Sequence, residues 1–293
     1  MKKYNYQEIK DFVSKPLFDE KVILNKDLNY PKITIVTPSY NQAEFLERTI
    51  LSVLNQNYPN LEYTIIDGGS TDRSVEIIKK YEKYLTYWVS EKDKGQSHAI
   101  NKGFQKSTGE ILAWLNSDDT YLPNTLQFIA NYFKQHCVID MLYGRCNIID
   151  KDNIASKEVK VLPFNFIDYA YGLFTIPQPS SFWKRNIFFK SGMLNKNNHT
   201  CMDAELWINF AKNNANIAYV DIFLANFRLH CQSISGSGKY SVQYKKDITK
   251  IQYVLLGHIP NNLEKCLRRI FLLIKYPFLH IRYLYFSYLR GKI

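Results

Sequence analysis

The chain has little of what would mark a secreted or membrane-spanning protein. Its five cysteines, Cys137, Cys146, Cys201, Cys231 and Cys266, form no C-x-x-C pair and follow no regular spacing. Such an odd, scattered set is expected as buried thiols in a reducing compartment. No stretch approaches the ~20 apolar residues that span a bilayer. The opening Met1-Lys-Lys-Tyr-Asn-Tyr-Gln-Glu lacks an apolar signal core, so a cytoplasmic location is expected. There is no G-x-x-x-x-G-K-[S/T] phosphate loop, no internal repeat and no low-complexity stretch. Acidic residues are also scarce, 27 against 38 Lys and Arg, for a formal charge of +11. That imbalance is local. Lys265, Arg268, Arg269, Lys275, Arg282, Arg290 and Lys292 stand in a tail that holds no Asp or Glu from residue 265 onward. Basicity confined to a tail gives no reason to expect a nucleic-acid partner.

What is present is an ordinary folded composition, 46% hydrophobic and 22% charged, over 293 residues. That length suits one large domain, or one domain with an appendage. The 22 Tyr and 18 Phe fit a surface that meets sugars or lipid, and fit a large core equally. Residues 1–30 show no clear period and read as a lead-in arm. Ile33 to Thr37, between Pro31 and Pro38, is the first strand, and Phe45, Leu46, Ile50 and Leu54 then fall at helical spacing. Strands follow at 61–66, 87–89, 110–115 and 138–143, with helices near 73–83, 97–106 and 124–135. Such alternation predicts a parallel, doubly wound sheet. After Gly144 the alternation fades into short strands and loops with one helix, Met202 to Lys212.

The strand ends carry the chemistry. The buried run Ile111-Leu112-Ala113-Trp114-Leu115-Asn116 closes on Asp118 and Asp119. Adjacent carboxylates repel unless a cation stands between them and a phosphorylated ligand; an Asp-rich turn is the plainer alternative. Thr37 to Asn41, Asp67 to Ser70 and Glu91 to Gly95 end the other three strands with small and polar residues. In an open α/β sheet that edge is where ligands bind, and the shared placement reads as a nucleotide pocket.

In order, T-P-S-Y-N (37–41), D-G-G-S-T-D-R-S (67–74), D-K-G-Q-S-H-A-I-N-K-G (93–103) and G-E-I-L-A-W-L-N-S-D-D (109–119) together resemble the family 2 glycosyltransferases. The likeness covers roughly residues 31 to 232. It implies the GT-A fold: a Rossmann-like, mixed and mostly parallel sheet flanked by helices, here with a helical C-terminal extension. It implies residues 31–240 as the glycosyltransferase domain, a nucleotide-sugar half at 31–144 and an acceptor half at 145–240, with 241–293 as the extension. By matching position it assigns donor binding to Pro38, Tyr40, Asp67, Gly68, Asp93, Asn101 and Asp118. Asn101 and Gly103 belong to an A-x-N-x-G element that packs a helix against the donor site.

The resemblance gives Asp119 as the metal-binding carboxylate for Mn²⁺ or Mg²⁺, with His230 of the Arg228-x-His230 segment completing the shell. Asp203 matches the single base of an inverting mechanism. Gln178 and Trp207 match acceptor-side positions. Plainer roles stand beside these: helix caps for Asp67 and Asp203, a core histidine for His230, a core tryptophan for Trp207. His98, Met202 and Asn209 depart from the family pattern, which bears on donor choice and acceptor grip.

The implied activity is inverting transfer from a nucleoside-diphosphate sugar, a UDP-sugar foremost, to a glycan or lipid-linked acceptor in bacterial surface polysaccharide synthesis. A non-catalytic sugar-nucleotide-binding or scaffold protein of the same fold is the alternative. A nucleotidyltransferase would want an early glycine-rich loop with a basic residue, and Thr37 to Asn41 has neither. Residues 262–293 mix Leu, Ile, Phe and Tyr with basic residues. They read equally as a segment on an anionic membrane surface at the inner face of the cell membrane, or as a helix packed on the domain.

Overall fold

The computed structural model describes residues 5–278. Two short helices come first, α1 (Tyr6–Ser14) and α2 (Glu20–Leu24), then β1 (Ile33–Ser39), α3 (Leu46–Leu54), β2 (Leu61–Asp67), α4 (Ser74–Tyr81) and β3 (Tyr87–Ser90). Next are α5 (Gln96–Lys106), β4 (Ile111–Trp114), β5 (Thr120–Tyr121), α6 (Thr125–Gln135), β6 (Met141–Ile149) and β7 (Ala155–Glu158). The acceptor half continues with α7 (Phe166–Ala170), β8 (Ser181–Lys184), α8 (Arg185–Lys190), α9 (Met202–Lys212) and β9 (Ile217–Arg228). The helices α10 (Ser241–Leu256) and α11 (Asn262–Lys275) close the described chain.

All nine strands join one sheet in the order β3-β2-β1-β4-β8-β6-β9-β5, with β7 on β6. β1 pairs in parallel with both β2 and β4, so the chain reverses its direction of travel across the sheet beside β1. A crevice opens at such a reversal, outside the carboxyl ends of the strands. The uniformly parallel sheet expected from the alternation is modified. β5, β7 and β8 run against the other six strands, β8 entering antiparallel between β4 and β6. The sheet is therefore mixed but mostly parallel.

Burial follows the sequence closely in the first half. All seven residues of β1 and all seven of β2 are buried, as strands covered by helices on both faces require. On one face Ile33, Ile35 and Tyr63 meet Leu46, Ile50 and Leu54 of α3. On the other, Val36 and Leu112 meet Ile100 and Phe104 of α5 and a cluster of Trp114, Trp183 and Trp207. Gly103 sets the depth of that second contact, because a Cβ there would lie 2.5 Å from Val36 Cγ1.

Two regions differ from expectation, and a third agrees with the helical extension expected there. The lead-in arm is two docked helices. Asn5 and Glu8 form a capping box, and Phe12, Val13 and Ile23 are buried. Asn55 at the end of α3 clamps them, its Nδ2 donating to the carbonyls of Phe12 and Lys15 and its Oδ1 accepting from the Leu17 N–H. Second, the region after Gly144 holds the longest strand, β9, twelve residues in parallel with β6. Its register with β6 shifts near Arg145, which breaks the regular alternation in the sequence. Third, the C-terminal segment starts as α10 and α11, both packed on the acceptor half. Gln252 Nε2 donates to the Ala170 carbonyl, Arg268 Nε to the buried Asp168 carboxylate at 2.6 Å, and Leu272 is 2% exposed. Of the tail at 262–293, residues 279–293 lie outside the described residues.

Candidate active site

The carboxyl ends of β1, β2, β3 and β4 place their loops on one edge. Pro38 ends β1 buried and Tyr40 stands out beyond it, 60% exposed. Gly68 follows β2. A Cβ at Gly68 would come 2.8 Å from Asp93 Oδ2 and 3.3 Å from Tyr40 Cδ2, so glycine lets the Asp93 carboxylate and the Tyr40 ring pack close against the backbone. Asp93 turns its other oxygen back to the Gly95 N–H at 2.7 Å. The exposed Tyr40 ring and the Asp93 carboxylate beside it offer an aromatic face and an acidic acceptor on one edge.

Asp67, one residue before Gly68, is buried at 0% exposure. Its Oδ2 accepts from the N–H groups of Gly69 and Ser70 and the Ser90 hydroxyl, and its Oδ1 accepts from Ser70 Oγ. Four protein donors already surround the carboxylate. It braces the β2 and β3 loops, and only Oδ1 keeps capacity toward a ligand.

The paired aspartates divide in the same manner. Asp119 is fully buried, Oδ1 accepting from the Arg228 N–H at 2.8 Å and Oδ2 from Asn116 Nδ2 at 3.2 Å. Burial first, and the charge of Asp118 second, push its carboxyl well above the usual carboxylate range. Asp118 is turned toward the open edge, its Oδ2 3.1 Å from His230 Nε2. The His230 ring lies 4.7 Å from that of Phe45, which fixes its tilt.

Arg228 holds this corner together. Its Nε donates to the Asp118 carbonyl at 2.7 Å, its Nη atoms reach the Asp150 carbonyl and Asn153 Oδ1, and its guanidinium sits 4.8 Å from the Phe45 ring centre. Burial lowers the guanidinium to about 10, with Arg48 adding to that fall. Sequence reading gave Arg228 no role, although the Arg228-x-His230 spacing marked the segment. Asn116 was likewise within a quoted string and unassigned. It accepts from Gln96 Nε2 at 2.7 Å and donates to Asp119 and Gln178, joining the third and fourth loops.

Among the described residues no three His, Cys, Asp or Glu side chains gather into a group that could hold a metal ion. Asp118 and His230 form a pair. The donor set fits a divalent cation that takes its other ligands from water and a bound diphosphate, the usual habit of Mg²⁺. Asp119, assigned to the metal by resemblance, meets the Arg228 N–H and Asn116 instead, one residue behind that pair.

Asp203 stands in the first turn of α9 on the acceptor side. Burial raises its carboxyl, against the pull of the helix N–H groups. Tyr169 and Tyr244 are pushed up by their own burial and next by the charge of Asp203, which sets both phenols beside it. The first turn of α5 connects this region to the donor edge. Ser97 Oγ approaches Met202 Sδ at 2.8 Å, and a Cβ on Gly95 would sit 3.5 Å from the His199 ring.

Three assigned residues point elsewhere. Asn101 is 1% exposed, and its amide pairs with the backbone of Leu194 in both directions, so it fastens α5 to the acceptor loop rather than facing a donor. Trp207 is 0% exposed, its ring 6.0 Å from Trp114 and nearly parallel. Its apolar bulk wins it to the core, where no acceptor reaches it. Gln178 is buried, donating to the Trp114 carbonyl and accepting from Asn116, which makes it a strut under the Asp118 loop.

The chain resembles known proteins in sequence and in fold. The family model described as Glycosyl transferase family 2 matches residues 34–209. An uncharacterized glycosyltransferase of Nostoc sp. is 35% identical over 122 residues, 41% of this chain and 38% of the relative. Against it and a Haemophilus influenzae relative covered to 50%, the chain spans half the relative's length or less. Staphylococcus aureus TarS, solved as residues 1–349 with UDP-GlcNAc, superposes with a TM-score of 0.62 at 17% identity, covering 80% of this chain and 69% of that one. The mannosyltransferase PcManGT of Pyrobaculum calidifontis, solved with GDP-Man and Mn²⁺, gives 0.59 at 16% identity, over 87% and 72%. The architecture is the GT-A fold of these glycosyltransferases.

Proposed function

The chain belongs to glycosyl transferase family 2, and from that premise we propose that it transfers a sugar, with inversion, from a nucleoside-diphosphate sugar to a hydroxyl of a glycan or lipid-linked acceptor in bacterial surface polysaccharide synthesis. The observation that carries the proposal is one edge of the sheet. The Tyr40–Gly68–Asp93 cluster and the Asp118–His230 pair lie along it, and Asp203 lies across the first turn of α5.

In this mechanism the nucleobase lies on the exposed face of Tyr40, with Asp93 at its edge. Asp67, Asp119, Asn101 and Gln178 hold the loops in place. Asp118 and His230 would hold Mn²⁺ or Mg²⁺, which when bound offsets charge on the departing diphosphate. Asp203 accepts the proton of the acceptor hydroxyl as that oxygen bonds to the anomeric carbon and the bond to the diphosphate oxygen breaks, its electron pair leaving with the nucleotide. A carboxyl raised by burial is better matched to that proton near neutral pH than an ordinary aspartate. The domain is proposed to be residues 31–240, the acceptor half from 145 onward.

Calorimetric titration with UDP and with GDP, each with and without Mn²⁺, followed by a panel of nucleotide sugars for turnover, tests this. Cation-dependent binding of one nucleotide with turnover of its sugars is expected. Binding without turnover of any donor would leave a sugar-nucleotide-binding scaffold. Absence of nucleotide binding would sink both.

A further inference from the structure

α11 is amphipathic in the reverse sense to the helices that cover the sheet. At 100° per residue, Arg268, Leu272 and Tyr276 share the side that meets the domain. Leu263, Leu267, Ile270, Phe271 and Ile274 fall on the far side, every one exposed, Ile274 at 76%. α3, by contrast, turns Leu46, Ile50, Val53 and Leu54 inward.

The helix is fixed in this roll. Its start is held by the Asn261–Glu264 capping box, its middle by Arg268 on the buried Asp168, and its end by Leu272 in the tryptophan-rich core.

The charge around the apolar stripe has one sign. With the exposed Leu273 widening the stripe, Arg269 and Lys275 border it on either side, while Lys265 falls on the side that meets the domain; the single acid of the helix, Glu264, serves the cap and lies 3.4 Å from His258. Arg269 stands near enough to Lys160 to help burial lower that ammonium. Neither cation has a carboxylate within ion-pair distance among the described residues. A second copy of the chain would set like charges against each other, and an uncharged partner would leave them unmatched. A negatively charged lipid surface satisfies the stripe and its rim together. No helix of the described residues is long and apolar enough to cross a membrane, so the contact lies in the plane of the surface.

We propose that α11 lies in the headgroup layer of an anionic membrane, with Leu263, Leu267, Ile270 and Ile274 among the acyl chains and Arg269 and Lys275 on the phosphates. Because Arg268 ties the helix to Asp168, one residue before the Tyr169 that flanks Asp203, the catalytic edge is held at the lipid surface. That geometry suits a membrane-anchored acceptor.

The test is flotation of the full chain with phosphatidylglycerol/phosphatidylcholine vesicles and with phosphatidylcholine alone. Expected is co-flotation with the anionic vesicles only, weakened by salt. The paired Ile270→Glu/Ile274→Glu and Arg269→Glu/Lys275→Glu variants should each reduce partitioning about tenfold or more, at unchanged donor hydrolysis. No flotation, equal flotation with neutral vesicles, or unaltered variants would overturn it. So would a solution dimer that the isoleucine variant dissociates while vesicles go unbound. If the glutamate variants melt early, Ile270→Ser/Ile274→Ser carries the same comparison.

Discussion

The donor edge and the acceptor edge treat their carboxylates in opposite ways. On the donor edge Asp67 is enclosed by four protein donors, and Asp119 is held by a backbone N–H and an amide. On the acceptor edge Asp203 is desolvated and raised, with only helix N–H groups opposing. The first arrangement spends carboxylates on rigidity, so that loops from different strands keep one shape while a nucleotide arrives. The second leaves a carboxylate poorly solvated and able to take a proton. A carboxylate drawn out of water, fully as at Asp67 or half-buried as at Asp203, thus serves as scaffold or as reagent according to how many hydrogen bonds surround it.

Substitutions at the two edges should therefore separate. Asp203→Asn is expected to lower transfer by about 10²–10⁴, while nucleotide affinity stays within about twofold. Its melting temperature should equal or exceed that of the parent at neutral pH. A raised carboxyl means that the ionised form costs stability above its folded pKa, and asparagine removes that cost. A large loss of nucleotide affinity would blur the division between the edges. Asp67→Ala should do the reverse, leaving four donors unpaired and destabilising the fold by about 2–4 kcal/mol in urea unfolding. If stability is unchanged and only base recognition is lost, Asp67 contacts ligand after all.

Between those extremes, His230→Ala should weaken UDP binding about tenfold in the presence of Mn²⁺ and leave binding without metal as it was. Equal loss under both conditions would make His230 a packing residue against Phe45. The smallest effect is in pH. The acidic limb of kcat/KM should lie above the ordinary aspartate value of 3.8, because activity falls as pH drops through the raised pKa of Asp203. A limb at the ordinary value would remove the desolvated base.

The donor half was legible in the sequence because its signals are local. A buried parallel strand is a continuous apolar run, and a ligand loop at its end needs small or acidic residues within a few positions, as at Thr37 to Asn41 and Asp67 to Ser70. β9 was missed because its partner β6 lies some seventy residues earlier, and the register shift near Arg145 hides the alternation. The roles of Asn101 and Gln178 could not be read from motif position. Each turns on a backbone atom supplied by a distant segment, Leu194 in one case and Trp114 in the other. Trp207 shows competing pulls on one residue, in which dry stacking against Trp114 prevailed.

The clamp that Asn55 places on α1 has a consequence for how the protein can be divided. The family match begins at residue 34, yet cutting there would strip Phe12, Val13 and Ile23 from their seats and leave an inward amide with nothing to hold. The cooperative unit is larger than the inherited one, and a truncated gene designed from alignment alone would yield a protein with a greasy, half-finished flank.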